Sequence, residues 1–269
     1  MKKRILLIVT IVLMILLFTA CTGNTATVSK CWTNYEKLTY NVYTTGTTNK
    51  VGEVTMAMTS DLTTEEKATG ANYKLTVNLQ VNDVAYTTTY LTNIYTIKSL
   101  EKTYTDNANA ANNFVLKASH EAKNYVYTLT YPNAESKNKS GKIKVGASGF
   151  CDGEFLYYYI RCYGINGVPG KITIADPFTN QVITVGCASK EEAKTINVDW
   201  ETLTSAKCNQ VTISKNDSPI GSGLVIYYLP DTAQYTYTND DSIISSKKLP
   251  VQIIENDLTY TLSNYTNVA

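Results

Sequence analysis

The chain has 269 residues, 43% of them hydrophobic and 17% charged, a balance that buries a core and excludes disordered, collagen-like and coiled-coil proteins. Lys and Arg number 24 against 23 for Asp and Glu, so there is no basic footprint for nucleic acid or for an acidic membrane surface. Twenty-one Tyr and abundant Thr favour strands, and abundant Asn favours turns, which makes the expected class mainly β.

The first residues carry an address. Lys2, Lys3 and Arg4 form a basic start, Ile5 to Phe18 is an almost unbroken apolar run, and Thr19 and Ala20 supply the small residues of a cleavage site. That apolar run is shorter than the roughly 20 residues needed to span hydrocarbon, so it reads as an export signal, residues 1–20. Leu17-Phe18-Thr19-Ala20-Cys21 resembles a bacterial lipobox, which implies a diacylated, palmitate-bearing Cys21 as the new first residue. Two acyl chains anchor a protein stably where one does not. Cleavage removes three positive charges and no negative ones, leaving net −2, so anionic lipid attraction is not what holds the chain to the membrane. Lys outnumbers Arg 22 to 2, the bias of an AT-rich bacterial genome, and points first to a Gram-positive envelope.

Residues 21–30 are small and polar and read as a lipidated tether. A single β-rich exported domain is expected over 31–269, with 146–149 the one stretch where a seam could fall. Leu38, Tyr40 and Val42 alternate, a turn carrying Gly46 follows, and Val54, Met56 and Met58 alternate again, which predicts a hairpin. Tyr73 to Val81 is the cleanest strand, with Leu75, Val77 and Leu79 on one face and Lys74, Thr76, Asn78 and Gln80 on the other. Asn82-Asp83 turns the chain into a return strand over Val84 to Leu91. Ile94 to Leu100, Phe114 to Ser119 and Tyr125 to Tyr131 follow as strands, with Asp106 to Asn113 and Asn133 to Ser140 as exposed loops.

Phe155, Leu156, Tyr159, Ile160 and Tyr163 recur at the spacing of one helix face, with Asp152 placed to cap and Gly164 to stop. This predicts one helix within Phe150 to Ile165. Strands resume at Ile172 to Ala175 and, past an Asp176-Pro177 turn, at Gln181 to Cys187. Thr195 to Trp200, Gln210 to Ser214, Leu224 to Leu229, Ala233 to Thr238, Val251 to Ile254 and Leu258 to Tyr265 complete the set. The expected fold is mainly β (α+β): a curved antiparallel sheet or incomplete β-barrel packed on one helix.

Several landmarks resemble, in this order, a family of exported bacterial domains of unknown function. They are Tyr40-x-Val42 with Val51-Gly52, Asp152-x-Glu154-Phe155-Leu156 leading to Arg161, Asp176-Pro177, Cys208-x-x-Val211 and Ile226-Tyr227-Tyr228. Such domains are similar in outline to the LolA and LolB lipoprotein carriers. The resemblance implies a curved, incomplete barrel against a helix, with a concave apolar face for an acyl chain or hydrophobic peptide.

Catalytic chemistry finds little footing. His120 is the lone histidine, followed by Glu121 ahead of a polar turn, and there is no Gly-x-Ser-x-Gly elbow to bring it a nucleophile. Cys31, Cys151, Cys162, Cys187 and Cys208 contain no Cys-x-x-Cys spacing, so neither a metal nor another cofactor is expected. Glu65-Glu66, Glu191-Glu192 and Asp240-Asp241 are adjacent pairs whose side chains diverge on a strand or a helix, and they read as solvated turns. Gly221-Ser222-Gly223 reads as a hairpin turn rather than a phosphate cradle. Outside the cell disulfides form, and Cys187 with Cys208, which end or begin neighbouring predicted strands, is the expected bridge. Cys151 and Cys162 flank the helix at roughly 16 Å, too far to bond.

The function expected is therefore that of a non-enzymatic, lipid-anchored protein on the extracytoplasmic face of the cell membrane. It would hold a lipid, acyl chain or hydrophobic peptide against Leu75, Val77, Leu79, Phe155, Leu156, Tyr159 and Ile160. The alternative is an adhesion or assembly module with a filled interior, contacting a partner protein or cell-wall glycan through its Tyr/Thr-rich surface.

Overall fold

The computed structural model describes residues 32, 34–93, 96–145, 155–161, 171–198, 201–215, 218–229, 234–237, 242–245 and 249–268. The expected signal, Cys21 and the 146–149 seam lie outside them.

Period-two alternation builds the first half. β1 (Tyr35–Thr44) and β2 (Lys50–Thr59) set Leu38 opposite Met56 and Tyr40 opposite Val54. β3 (Tyr73–Val81) buries Leu75, Val77, Leu79 and Val81 while Asn78 and Gln80 face solvent. At the β3 turn Asn82 takes φ 50°, a left-handed conformation that Asn tolerates. β4 (Val84–Thr92), β5 (Ile97–Asp106), β6 (Phe114–Glu121), β7 (Asn124–Thr130) and β8 (Lys139–Lys144) continue the meander, each pairing with the one before.

The second half runs through β9 (Lys171–Asp176), β10 (Gln181–Val198), β11 (Glu201–Lys215), β12 (Ser218–Tyr228), β15 (Pro250–Glu255) and β16 (Leu258–Val268). A separate hairpin consists of β13 (Gln234–Tyr237) and β14 (Ser242–Ser245). Together the two halves make one fourteen-stranded antiparallel sheet, ordered β8-β7-β6-β5-β4-β3-β2-β1-β16-β15-β12-β11-β10-β9. The wings join where β1 pairs with β16, Tyr35 lying opposite Val268.

The sheet curves until its outer strands meet side chain to side chain, and no ladder joins β8 to β9. The turn after β9 reaches across instead: Lys139 Nζ donates to the Phe178 carbonyl at 2.9 Å and the Tyr127 hydroxyl to Asn180 Oδ1 at 3.1 Å. The Phe114 and Phe178 rings meet edge-on at 5.3 Å. The sheet is thus open, barrel-like in outline, and its inward faces share one hydrophobic cluster that runs from Trp32 to Tyr265.

Two short α-helices lie among the described residues. α1 (Thr64–Ala68) replaces the solvated turn expected at Glu65-Glu66. Thr63 and Glu66 form a reciprocal capping box, and the Glu66 carboxylate also meets Lys74 Nζ at 2.9 Å. Five residues are too few to show a period, so the capping residues were the available signal. α2 (Phe155–Arg161) is the expected helix in seven residues, and its anticipated cap Asp152 and stop Gly164 lie outside the described residues.

Three other expectations are corrected. β10 is one strand of 18 residues where the pattern suggested two, so Glu191-Glu192 sit mid-strand and not in a turn. Their polar segment is held by its ladder to β11, which needs no apolar alternation. Gly221-Ser222-Gly223 lies within β12, where the register jumps from Ile213 opposite Leu224 to Ser214 opposite Pro219, a bulge and not a hairpin turn. The loop expected over Asn133 to Ser140 holds a 3-10 turn, Glu135–Lys137, and the start of β8.

Candidate functional site

The inward face decides what the sheet can hold. Leu75, Val77, Leu79, Phe155 and Leu156 are all buried in the continuous cluster, while the side chains of Tyr159 and Ile160 fall outside the described ones. Phe155 packs on Tyr90 with ring centroids 5.9 Å apart, and the Tyr228 hydroxyl donates to the Tyr157 carbonyl at 3.0 Å. The residues named for a groove are thus packed against sheet and helix neighbours. Leu75→Ala is expected to cost about 2–5 kcal/mol in a urea unfolding titration, the price of a cavity in a filled core. A loss below about 1 kcal/mol would instead mark Leu75 as the wall of an open groove.

Beside that cluster lies a pair the sequence pattern did not reveal. Arg161, the last residue of α2, donates through both terminal nitrogens to Glu36 of β1, at 2.7 and 3.1 Å, and both side chains are essentially inaccessible. The Tyr265 hydroxyl donates to Glu36 Oε2 at 3.4 Å, and the guanidinium lies 5.4 Å from the centre of the Tyr158 ring. Burial, reinforced by the Glu36 carboxylate and opposed by Arg161, holds the Tyr40, Tyr158 and Tyr265 phenols far above the usual tyrosine range. They stay neutral and add no second negative charge beside Glu36. The cluster is a clamp, with Tyr40 turned away to the Pro250 carbonyl at 2.8 Å.

The outward face carries a different chemistry. Strand register stacks Thr55, Asn78, Thr87 and Thr103 in one row across β2 to β5. The next row runs Thr76, Thr89, Glu101, Lys117 and Thr128 across β3 to β7. A third sets Leu91, Ser99, Ser119 and Val126 side by side. A cleft of about 690 Å³ opens over the second and third rows, and a smaller one of about 450 Å³ over the first; Thr87 and Thr103 line both. Thr87 Oγ1 donates to Asn78 Oδ1 at 2.8 Å, and Lys117 Nζ meets Glu101 at 3.2 Å. Ser and Thr hydroxyls both donate and accept, so this face can pair with polar groups of either sense. The alternation showed a wet side for Tyr73 to Val81, but Glu101 and Thr103 lie past the expected Ile94 to Leu100 strand, and only register shows that these residues form rows.

His120 is a half-buried strand residue of β6 opposite Tyr125. Its neighbour Ser119 donates to Glu121 at 3.2 Å, and among the described residues no group of three His, Cys, Asp or Glu is placed to hold a metal. Cys187 and Cys208 do lie on adjacent strands, but Cys187 faces Ile213 and Cys208 faces Glu192. At about 3.4 Å per residue the five-position offset is roughly 17 Å, well beyond the roughly 7 Å limit between Cα atoms for a disulfide. The expected bridge is therefore incompatible with this register. Cys31, Cys151 and Cys162 lie outside the described residues.

These features define a mainly β protein built on one large, open, curved antiparallel sheet. No protein-family model matches the chain, and no curated protein matches it. Among solved structures it is similar to a β-barrel-like protein of a domain of unknown function, DUF1849, from Brucella abortus. That likeness has a TM-score of 0.50 at 10% identity and covers 88% of this chain and 99% of the other. At that identity it is a likeness of fold.

Proposed function

We propose that the protein is a non-enzymatic binding module, anchored through diacylated Cys21 on the outer face of the cell membrane, that engages an envelope component through the cleft on its outward face. The observation that carries this is the division of the two faces. The inward set is packed around α2, whereas the outward rows of hydroxyls border open space. In this reading α2 is a strut inside the curved sheet, and the tether of residues 21–30 lets the cleft turn toward its target. The other occupant, a lipid, acyl chain or hydrophobic peptide on the inward face, requires the cluster around Phe155 and Leu156 to open.

Capture of the detergent-solubilised full chain on isolated cell-envelope fragments tests the role. Thr103 is exposed, so Thr103→Arg fills the cleft from the surface, and capture is expected to fall about tenfold or more while the unfolding curve is unchanged. Capture equal to the parent's would remove the cleft from the function, and lipid extracted from the purified chain would restore the inward-facing alternative. Cys21→Ser is expected to move the protein from the membrane to the soluble fraction.

A further inference from the structure

We infer that the outward cleft takes an uncharged, hydroxyl-rich glycan chain lying across the strands. This rests on the binding role proposed above for the same cleft and names its ligand class.

Charge comes first. Each charged side chain lining the two clefts already faces an opposite charge: Glu101 meets Lys117 at 3.2 Å, Glu66 meets Lys74 at 2.9 Å and Glu53 meets Lys50 at 3.9 Å. Among the described residues the site has no spare cation for a phosphate-bearing polymer or an acidic peptide, and none of the arginine forks that recognise phosphate.

Residue type separates a glycan from a protein. The buried centres of protein interfaces are enriched in Tyr, Trp, Met and Arg and depleted in Ser, Lys and Glu, and Ser and Thr are under-represented among their energetic hot spots. This face inverts that composition. Its outward positions are Thr, Ser, Asn, Gln, Glu and Lys with Ala85, Leu91 and Val126, while the two Tyr beside the clefts sit on the core side of their strands, Tyr127 buried and Tyr86 packed against the core. A sugar hydroxyl, like those of Thr and Ser, both gives and takes a hydrogen bond, so a row of them pairs with a glycan without requiring one fixed polarity. Leu91, Val126 and the Thr methyl groups offer apolar spots for the C–H faces of the rings.

Shape sets the direction. Thr87 and Thr103 border both clefts, which together run from Thr55 on β2 to Thr128 on β7. Five inter-strand steps of about 4.8 Å give a track of roughly 24 Å perpendicular to the strands, long enough for several sugar rings in file.

A panel of neutral and acidic oligosaccharides of increasing length, titrated calorimetrically against the detergent-solubilised full chain, tests this. Neutral oligosaccharides are expected to bind, longer ones better than disaccharides, with little response to added salt. Thr87→Val, which keeps the shape and removes one hydroxyl, is expected to weaken binding several-fold, and Thr103→Arg by about tenfold or more. If no neutral glycan binds while Thr103→Arg still abolishes envelope capture, the glycan assignment fails and the cleft serves a protein. If envelope capture survives Thr103→Arg, the binding role itself fails. Preference for acidic glycans, or neutral binding indifferent to both substitutions, also overturns the inference.

Discussion

Arg161→Met lowers the free energy of unfolding by about 3–5 kcal/mol, the cost of leaving one partner of a buried ion pair without the other. Among the described residues the guanidinium is the only opposite charge within hydrogen-bond reach of Glu36, and the carboxylate it leaves behind is inaccessible to water. The effect spreads because the pair ties α2 to β1, and Tyr265 brings β16 to the same carboxylate, so the clamp sits where the two wings of the sheet join. Replacing both partners, Glu36→Leu with Arg161→Met, removes the stranded charge and is expected to recover most of the loss. Urea titrations of the two single variants and the double variant measure both effects. A single variant as stable as the parent, or a double variant no better than the singles, would defeat this account.

Gly52→Ala is the second large effect, at about 2–4 kcal/mol. A Cβ at position 52 would run into the carbonyl oxygen of Gln80, and would lie 2.7 Å from Val81 Cα and 2.8 Å from Val81 Cγ2. Two of those atoms are backbone of β3, which cannot rotate aside as the end of a side chain could. Gly52 lies opposite both Val81 and Val42, beside a register shift in β1, so the close approach is part of how the first three strands fit. The unfolding midpoint of Gly52→Ala against that of Gly141→Ala separates this from a general penalty for Ala in a strand. At Gly141 the nearest atoms are side-chain ones, at 3.0 and 3.1 Å, and a smaller loss is expected there.

Much of the sheet was legible because half-buried strands impose a period of two, as in Tyr73 to Val81. The pattern failed where that cause was absent. The middle of β10 is Ala, Ser, Lys and Glu without apolar alternation and is held by its neighbour, so nothing in Ala188 to Lys194 announces a strand. The site was less legible than the fold. Glu36 and Arg161 are 125 positions apart, and neither the Glu36 alternation nor the Arg161 end of an apolar helix marks them as partners. Thr76 was recognisable as an outward position of its strand, whereas Thr103 lies past the expected Ile94 to Leu100 strand, in the part of β5 that runs on to Asp106, and the alignment of Thr76, Thr87, Thr103 and Thr128 belongs to the register of five strands. The Cys187 and Cys208 expectation fell on the same point: adjacency of strands was inferred, and the offset between them was not.

The junction between β1 and β16 also governs the order in which the chain can fold. β1 to β8 are joined by local hairpins that close short loops, whereas Glu36 and Tyr265, brought together at the junction, are 229 positions apart. Loop-closure entropy and high contact order both make such a rung late and slow. Until it forms, β1 is a bare edge with unpaired amides, the kind of template that recruits other chains. The step with the greatest aggregation hazard is therefore the one that the Glu36–Arg161 pair locks once the wings have met.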